Sequence, residues 1–192
     1  MIAIIEYNAG NIRSVANALH RLGYESSVTG DHDKIRSAEK VIFPGVGEAS
    51  AAMRYLRNEG LDKLIVSLSQ PVLGICLGLQ LMCRHSDEGN TEGLGIFDAD
   101  VLLFPPLDRI PHMGWNTLNR ASGELFRDVA VETDFFFVHS YYAELSQYTV
   151  AECDYITPFS AALARDNFYA TQFHPEKSGP AGEVILKNFL NL

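Results

Sequence analysis

Through residue 76 the chain alternates short apolar runs with segments of helical periodicity, and few folds accept that alternation. Residues 2–6 read as a short apolar strand. Asn11 stands where it can cap a helix whose apolar positions Ile12, Val15, Ala16, Leu19 and Leu22 recur at helical spacing, with Gly23 ending it. Residues 40–43 form a second strand, closed by Pro44-Gly45-Val46-Gly47. Helices over about 50–58 and 61–69 follow, and residues 72–76 make a buried strand. Repeated βαβ units predict a parallel sheet with helices on both faces. Sites in such sheets open at the carboxyl ends of strands, where Gly45 and Cys76 fall.

Beyond residue 95 the pattern shifts to short segments rich in Val, Phe, Tyr and Thr. Arg165-Asp166-Asn167-Phe168 reads as a tight hairpin joining 160–164 to 169–173, so antiparallel strands are expected to extend the sheet. A last helix over about 182–191 is expected to bury Val184, Ile185 and Phe189. No repeat or linker interrupts the chain, so residues 1–192 are expected to form one α/β domain around a central mixed sheet. A net charge of −9 argues against a broad nucleic-acid-binding surface. No charged-then-apolar leader follows Met1, and no apolar run is long enough for a membrane span. Cys76, Cys83 and Cys153 cannot all pair and match no zinc spacing, which points to a reducing cytoplasm and no metal.

The chemistry centres on Gly74-Ile75-Cys76-Leu77-Gly78. A cysteine between two glycines, after an apolar strand and before a helix, occupies a sharp corner that exposes its side chain. Amides at the start of that helix favour thiolate over thiol. Near the end of the chain, His174-Pro175-Glu176 supplies a base and a carboxylate to orient it. In extended backbone residues i and i+2 share a face, roughly 6–7 Å apart at their α-carbons, so Glu176 can reach the His174 ring. The amides of Val46 or Gly47 and of Leu77 are candidates to hold an oxyanion. Gly45, Gln80 (one helical turn past the cysteine) and His139-Ser140-Tyr141 (after the apolar run 135–138) are candidates for the substrate wall. Each has a plain alternative: a turn, a solvated helix residue, a capped strand end. Trp115, the only tryptophan, would mark a protein contact if exposed.

Together these residues resemble the class I, or triad, glutamine amidotransferases, with their Gly-x-Cys-x-Gly elbow, later His-x-Glu and Gly-rich oxyanion loop. Within that family, 7–11, 44–47, 74–81, 111–116, 137–141 and 172–178 look more like the glutaminase subunits that serve imidazole glycerol phosphate synthase in histidine biosynthesis. Asn8 and the pair Glu48-Ala49 depart from that pattern. The resemblance implies a three-layer, flavodoxin-like fold and a Cys76-His174-Glu176 triad without cofactor. It implies hydrolysis of glutamine to glutamate and ammonia, with ammonia passed to a (β/α)8-barrel cyclase subunit in a heterodimer. Asn11, Trp115, Asn116 and Lys177 are then the candidate partner contacts. Other readings are a glutaminase subunit of a different synthase (anthranilate or pyridoxal phosphate) and a non-enzymatic partner protein on the same fold.

Overall fold

A computed structural model describes residues 1–7, 11–130 and 132–192; of the segment 7–11, Asn8, Ala9 and Gly10 lie outside the described residues. Along the chain run β1 (Ile2–Ile5), α1 (Ile12–Arg21), β2 (Ser26–Thr29), α2 (His32–Ser37), β3 (Lys40–Gly45), α3 (Ala49–Asn58), α4 (Leu61–Val66), β4 (Val72–Cys76) and α5 (Leu77–Met82). Then come β5 (Cys83–Ser86), β6 (Thr91–Glu92), β7 (Phe97–Leu103), β8 (His112–Ala121), β9 (Asp134–His139), β10 (Tyr141–Ala143), β11 (Thr149–Tyr155), β12 (Thr157–Arg165), β13 (Phe168–Thr171) and α6 (Gly179–Leu190).

Nine strands form the main sheet in the order β2-β1-β3-β4-β13-β12-β11-β8-β9. The β2-β1-β3-β4-β13 block is parallel, and the rest is antiparallel. Alternation along the strands splits the interior in two. Ala3, Ile5, Val41 and Phe43 pack toward α3, α4 and α5, whereas Ile2, Ile4 and Ile42 pack toward α1 and α6. This is the expected three-layer mixed α/β fold. The hairpin at Asp166-Asn167 joins β12 to β13 as the sequence suggests.

Several expectations change. β2 and α2 have no counterpart in the sequence reading, because four residues of strand and six of helix carry too short a period. β5, β6, β7 and β10 do not extend the main sheet; they form a second, four-stranded one. β3 runs on through Pro44 and Gly45, which pair with Ile75 and Cys76. Val184 is only half-buried, because α6 turns Gly182, Ile185, Leu186 and Phe189 inward.

Candidate active site

Sheet order brings the chemistry together. β4 lies between β3 and β13, with Gly45 opposite Cys76 on one side and Thr171 opposite Ile75 on the other. Neighbouring strands are about 4.8 Å apart, so the loop after β3, the cysteine ending β4 and the segment after β13 meet at one edge.

Cys76 itself takes the strained part of the corner, at φ 54° and ψ −105°. The glycines are needed for close approach and not for the turn: a Cβ on Gly78 would stand 1.9 Å from the Phe43 carbonyl oxygen. The cysteine is 6% exposed, and its Sγ accepts a contact from Gln172 Nε2 at 3.6 Å.

His174 is fully buried, its main-chain N–H held by the Phe136 carbonyl at 2.9 Å. Its ring Nδ1–H donates to Glu176 Oε1 at 2.8 Å, leaving Nε2 as the nitrogen free to react. Nε2 has no hydrogen-bond partner among the described residues. The pairing comes by a different route from the one expected: Pro175–Lys177 is a 3-10 turn, and that turn folds the carboxylate back onto the ring. Burial opposes charge on the ring, but Cys76 and Glu176 together outweigh it and raise its pKa from 6.5 to about 9.

Asn11 is another correction. It precedes α1 in a left-handed conformation and its side chain caps nothing. Nδ2 instead donates to Glu176 Oε1, so the residue belongs to the triad's surroundings.

Beside Cys76 opens a cavity of about 240 Å³ lined by Val46, Gly47, Leu77, Gln80 and the stretch 138–141. Val46, Gly47 and Leu77 also line a smaller space of about 100 Å³ with Tyr7, leaving the loop room on both sides. Gly47, at φ 125° with no atom within 4 Å of where a Cβ would stand, has the conformational freedom an amide donor there would use. Gly45, expected in the substrate wall, is not among the lining residues. Its missing side chain makes space for the Tyr7 hydroxyl, 1.9 Å from where a Cβ would be. Gln80 is 5% exposed, and its Nε2 donates to the Tyr141 carbonyl at 2.9 Å and to Gln172 Oε1 at 3.1 Å.

The sequence reading missed Glu88, Val138 and Gln172. Glu88 lines the cavity, and its Oε2 accepts from the Ala49 amide at 2.8 Å. It lies in the turn that joins β5 to β6, in a part of the chain where periodicity revealed no second sheet. Gln172 was legible only as a neighbour of His174; its partnership with the sulfur follows from the β4–β13 register. Among the described residues, no group of three or more His, Cys, Asp or Glu could hold a metal ion. Among the same residues, no helix is long and apolar enough to cross a membrane.

Of the candidate partner contacts, Trp115 is 58% exposed and Lys177 is exposed. The two flank Phe136: the indole packs edge-on at 5.9 Å, and Lys177 Nζ lies 5.9 Å from the ring centroid. Asn116 is half-buried and tied inward, donating to His112 Nε2 and the Asp154 carbonyl.

The model of the glutamine amidotransferase class-I family matches residues 3–192, and the chain belongs to that family. Within it, the chain is 59% identical to the imidazole glycerol phosphate synthase subunit HisH of Bacteroides fragilis, covering 100% of this chain and 99% of that protein. It is 45% identical, over the same shares of both chains, to the Escherichia coli protein of the same name. Among solved structures, one titled a glutamine amidotransferase superposes with a TM-score of 0.77 at 18% identity, covering 100% of this chain and 98% of the other. At that identity the likeness speaks for the fold.

Proposed function

We propose that this chain is the glutaminase subunit of an imidazole glycerol phosphate synthase, acting with a cyclase subunit in histidine biosynthesis. The observation that carries the reading is the buried His174–Glu176 pair beside Cys76 at the mouth of a cavity sized for an amino acid. The 45–59% identity to HisH proteins over the whole chain supports the choice of synthase.

Glutamine enters with its side-chain amide toward Cys76. Glu88, on the cavity wall, matches the α-ammonium group in charge, and Ser140 and Tyr141 supply the facing wall. The thiolate attacks the amide carbon, and the carbonyl electron pair moves onto oxygen. The amides of Leu77 and of Val46 or Gly47 hold that oxyanion. His174 gives its Nε2 proton to the amide nitrogen as the C–N bond breaks, releasing ammonia and leaving a glutamyl thioester. His174 then takes a proton from water, whose oxygen attacks the thioester carbon; collapse expels the thiolate and yields glutamate. Glu176 holds the ring tautomer and balances its charge.

Free ammonia would be protonated and lost in water, so a second active site must receive it. The partner is a (β/α)8-barrel cyclase, docking on the face that carries Trp115, Lys177 and the outer edge of Asn116, in the cytoplasm. Asn11 is reassigned from that face to the triad.

The test is a glutaminase assay with and without the cyclase and its nucleotide ligand. Cys76→Ala should abolish synthesis from glutamine while the complex still uses added ammonia. Stimulation by a different synthase and not by the cyclase would overturn the choice of partner. Full glutamine-dependent turnover in Cys76→Ala would overturn the nucleophile.

A further inference from the structure

A polar chain, half-buried at Asn116 and buried at His112 and His139, runs behind the nucleophile and takes no part in the steps of hydrolysis. Asn116 Nδ2 lies 3.2 Å from His112 Nε2, and His112 Nδ1 lies 3.0 Å from His139 Nε2. His139 Nδ1 lies 2.7 Å from the Tyr141 carbonyl oxygen. That same oxygen accepts from Gln80, which donates to Gln172, which faces the Cys76 sulfur. An unbroken series of hydrogen bonds therefore joins strand β8, whose Met113 and Trp115 are exposed, to the nucleophile.

The series has only one possible polarity. A carbonyl oxygen only accepts, so His139 carries its proton on Nδ1 and leaves Nε2 bare. His112 must then donate from Nδ1, which leaves its own Nε2 bare and requires a donor there. Asn116 meets that requirement with its amide NH2, and its position is fixed: Nδ2 also donates to the Asp154 carbonyl at 3.0 Å, while Oδ1 accepts from the Thr117 amide at 2.8 Å. Tyr155 and Phe137 stack on the two sides of the His112 ring at 4.0 and 4.9 Å between centroids and hold its plane.

We infer that Asn116, His112 and His139 are positioning residues that fix the Tyr141 carbonyl, and through Gln80 and Gln172 the Cys76 sulfur, for attack on glutamine. This rests on the glutaminase reading. It links β8 to the reacting atom through donors that converge on the Tyr141 oxygen from both sides, so a partner that reorients Asn116 changes the geometry at the sulfur. Burial keeps both rings neutral, lowering His112 to about 4 and His139 to about 3, as the polarity requires. The titratable groups against His112 are His139 on β9 and Tyr155 on β11; Phe159 of β12 brings no charge, and His174 acts on His139 from the far side.

Two measurements test the inference, both on the full chain with saturating cyclase. Nitrogen-15 NMR of histidine-labelled protein should find His112 and His139 neutral and protonated on Nδ1; an Nε2–H form at His139 would overturn the polarity. Asn116→Asp sets an acceptor against bare His112 Nε2, so glutaminase kcat should fall about tenfold at pH 8 with KM little changed. The introduced carboxylate raises the His112 pKa, so lowering the pH toward 6 should bring the ratio back toward wild type as protonated His112 donates to both that carboxylate and His139. Asn116→Leu should lose activity without that recovery, and His112→Phe, which preserves the stacking, should lose it at every pH. Nδ1–H rings together with unchanged kcat in all three variants would reduce the chain to a structural network and overturn the positioning role. A wild type that hydrolyses no glutamine would instead sink the glutaminase reading, while the NMR result would still decide the polarity.

Discussion

At the scale of single residues, His174 is the most constrained group in the site. Its folded pKa of about 9 stands above the unfolded 6.5, so the stability its charge contributes is fully present below pH 6.5 and is lost as pH rises through 9. In the proposed mechanism the same protonated ring delivers a proton to departing ammonia, so kcat should decline above about pH 9. In Glu176→Gln one of the two groups that raise the ring's pKa is neutralised. The alkaline limb of the rate profile should then move to lower pH, and turnover should fall by about two to four orders of magnitude with the fold intact. Rate profiles from well below to well above the pKa of the ring, alongside circular dichroism, measure both effects; near-wild-type turnover would make Glu176 a structural residue. Asn11 shows how context decides a residue's role. Asn before a helix is a strong capping signal, yet its amide is drawn to a buried carboxylate instead, where a charge-assisted hydrogen bond is worth more than an end-of-helix one.

At the scale of elements, the start of α3 gives Glu48 a local role. Glu48 caps the helix, its carboxylate accepting from Ser50 and Ala51 at 3.0 and 2.9 Å, while Glu88 takes the Ala49 amide. Two carboxylates thus satisfy three amides that the helix leaves unpaired, and one of them also lines the cavity. Glu48→Ala should cost about 1 kcal/mol in thermal unfolding and leave the cavity wall in place, since Glu88 keeps its amide. Gly78→Ala differs in kind. Its Cβ would collide with the Phe43 backbone, which cannot rotate away, so α5 must move off β3. A loss of about 3 kcal/mol, together with a fall in glutaminase activity because Leu77 and Gln80 move with the helix, is expected. Unfolding at the wild-type midpoint in Gly78→Ala would contradict the packing argument.

At the scale of the whole molecule, Trp115, Phe136 and Lys177 form an exposed aromatic and cationic patch supported by β8, β9 and the turn after His174. Large exposed aromatics are typical of interface centres. Trp115→Ala and Lys177→Ala should weaken binding of the cyclase, or uncouple glutamate release from synthesis, with the triad left in place. Titration calorimetry and paired assays of glutamate and synthase product measure these; wild-type affinity with one-to-one coupling in both variants would show that docking occurs elsewhere. Lys177 ends the turn that carries Glu176, so this face and the His174–Glu176 pair share one short segment of backbone.

Local periodicity by itself determined β1, β3 and β4 of the parallel block and the hairpin at 166–167, because an apolar period is a property of consecutive residues. The glycine bracket and the His-Pro-Glu triplet likewise pointed to the proposed reacting groups, since both signals are contained in a few neighbouring positions. Only the tertiary structure decided what those groups touch. Strand order placed β13 beside β4 and so set Gln172 against the sulfur; the second sheet brought Glu88 to the cavity; Gly45 became a packing site for Tyr7. Asn11 and Glu176 are separated by 165 positions and Gln80 and Gln172 by 92, and no local pattern encodes such pairings. They follow from which strands lie side by side, and that is settled by burying both faces of the sheet at once.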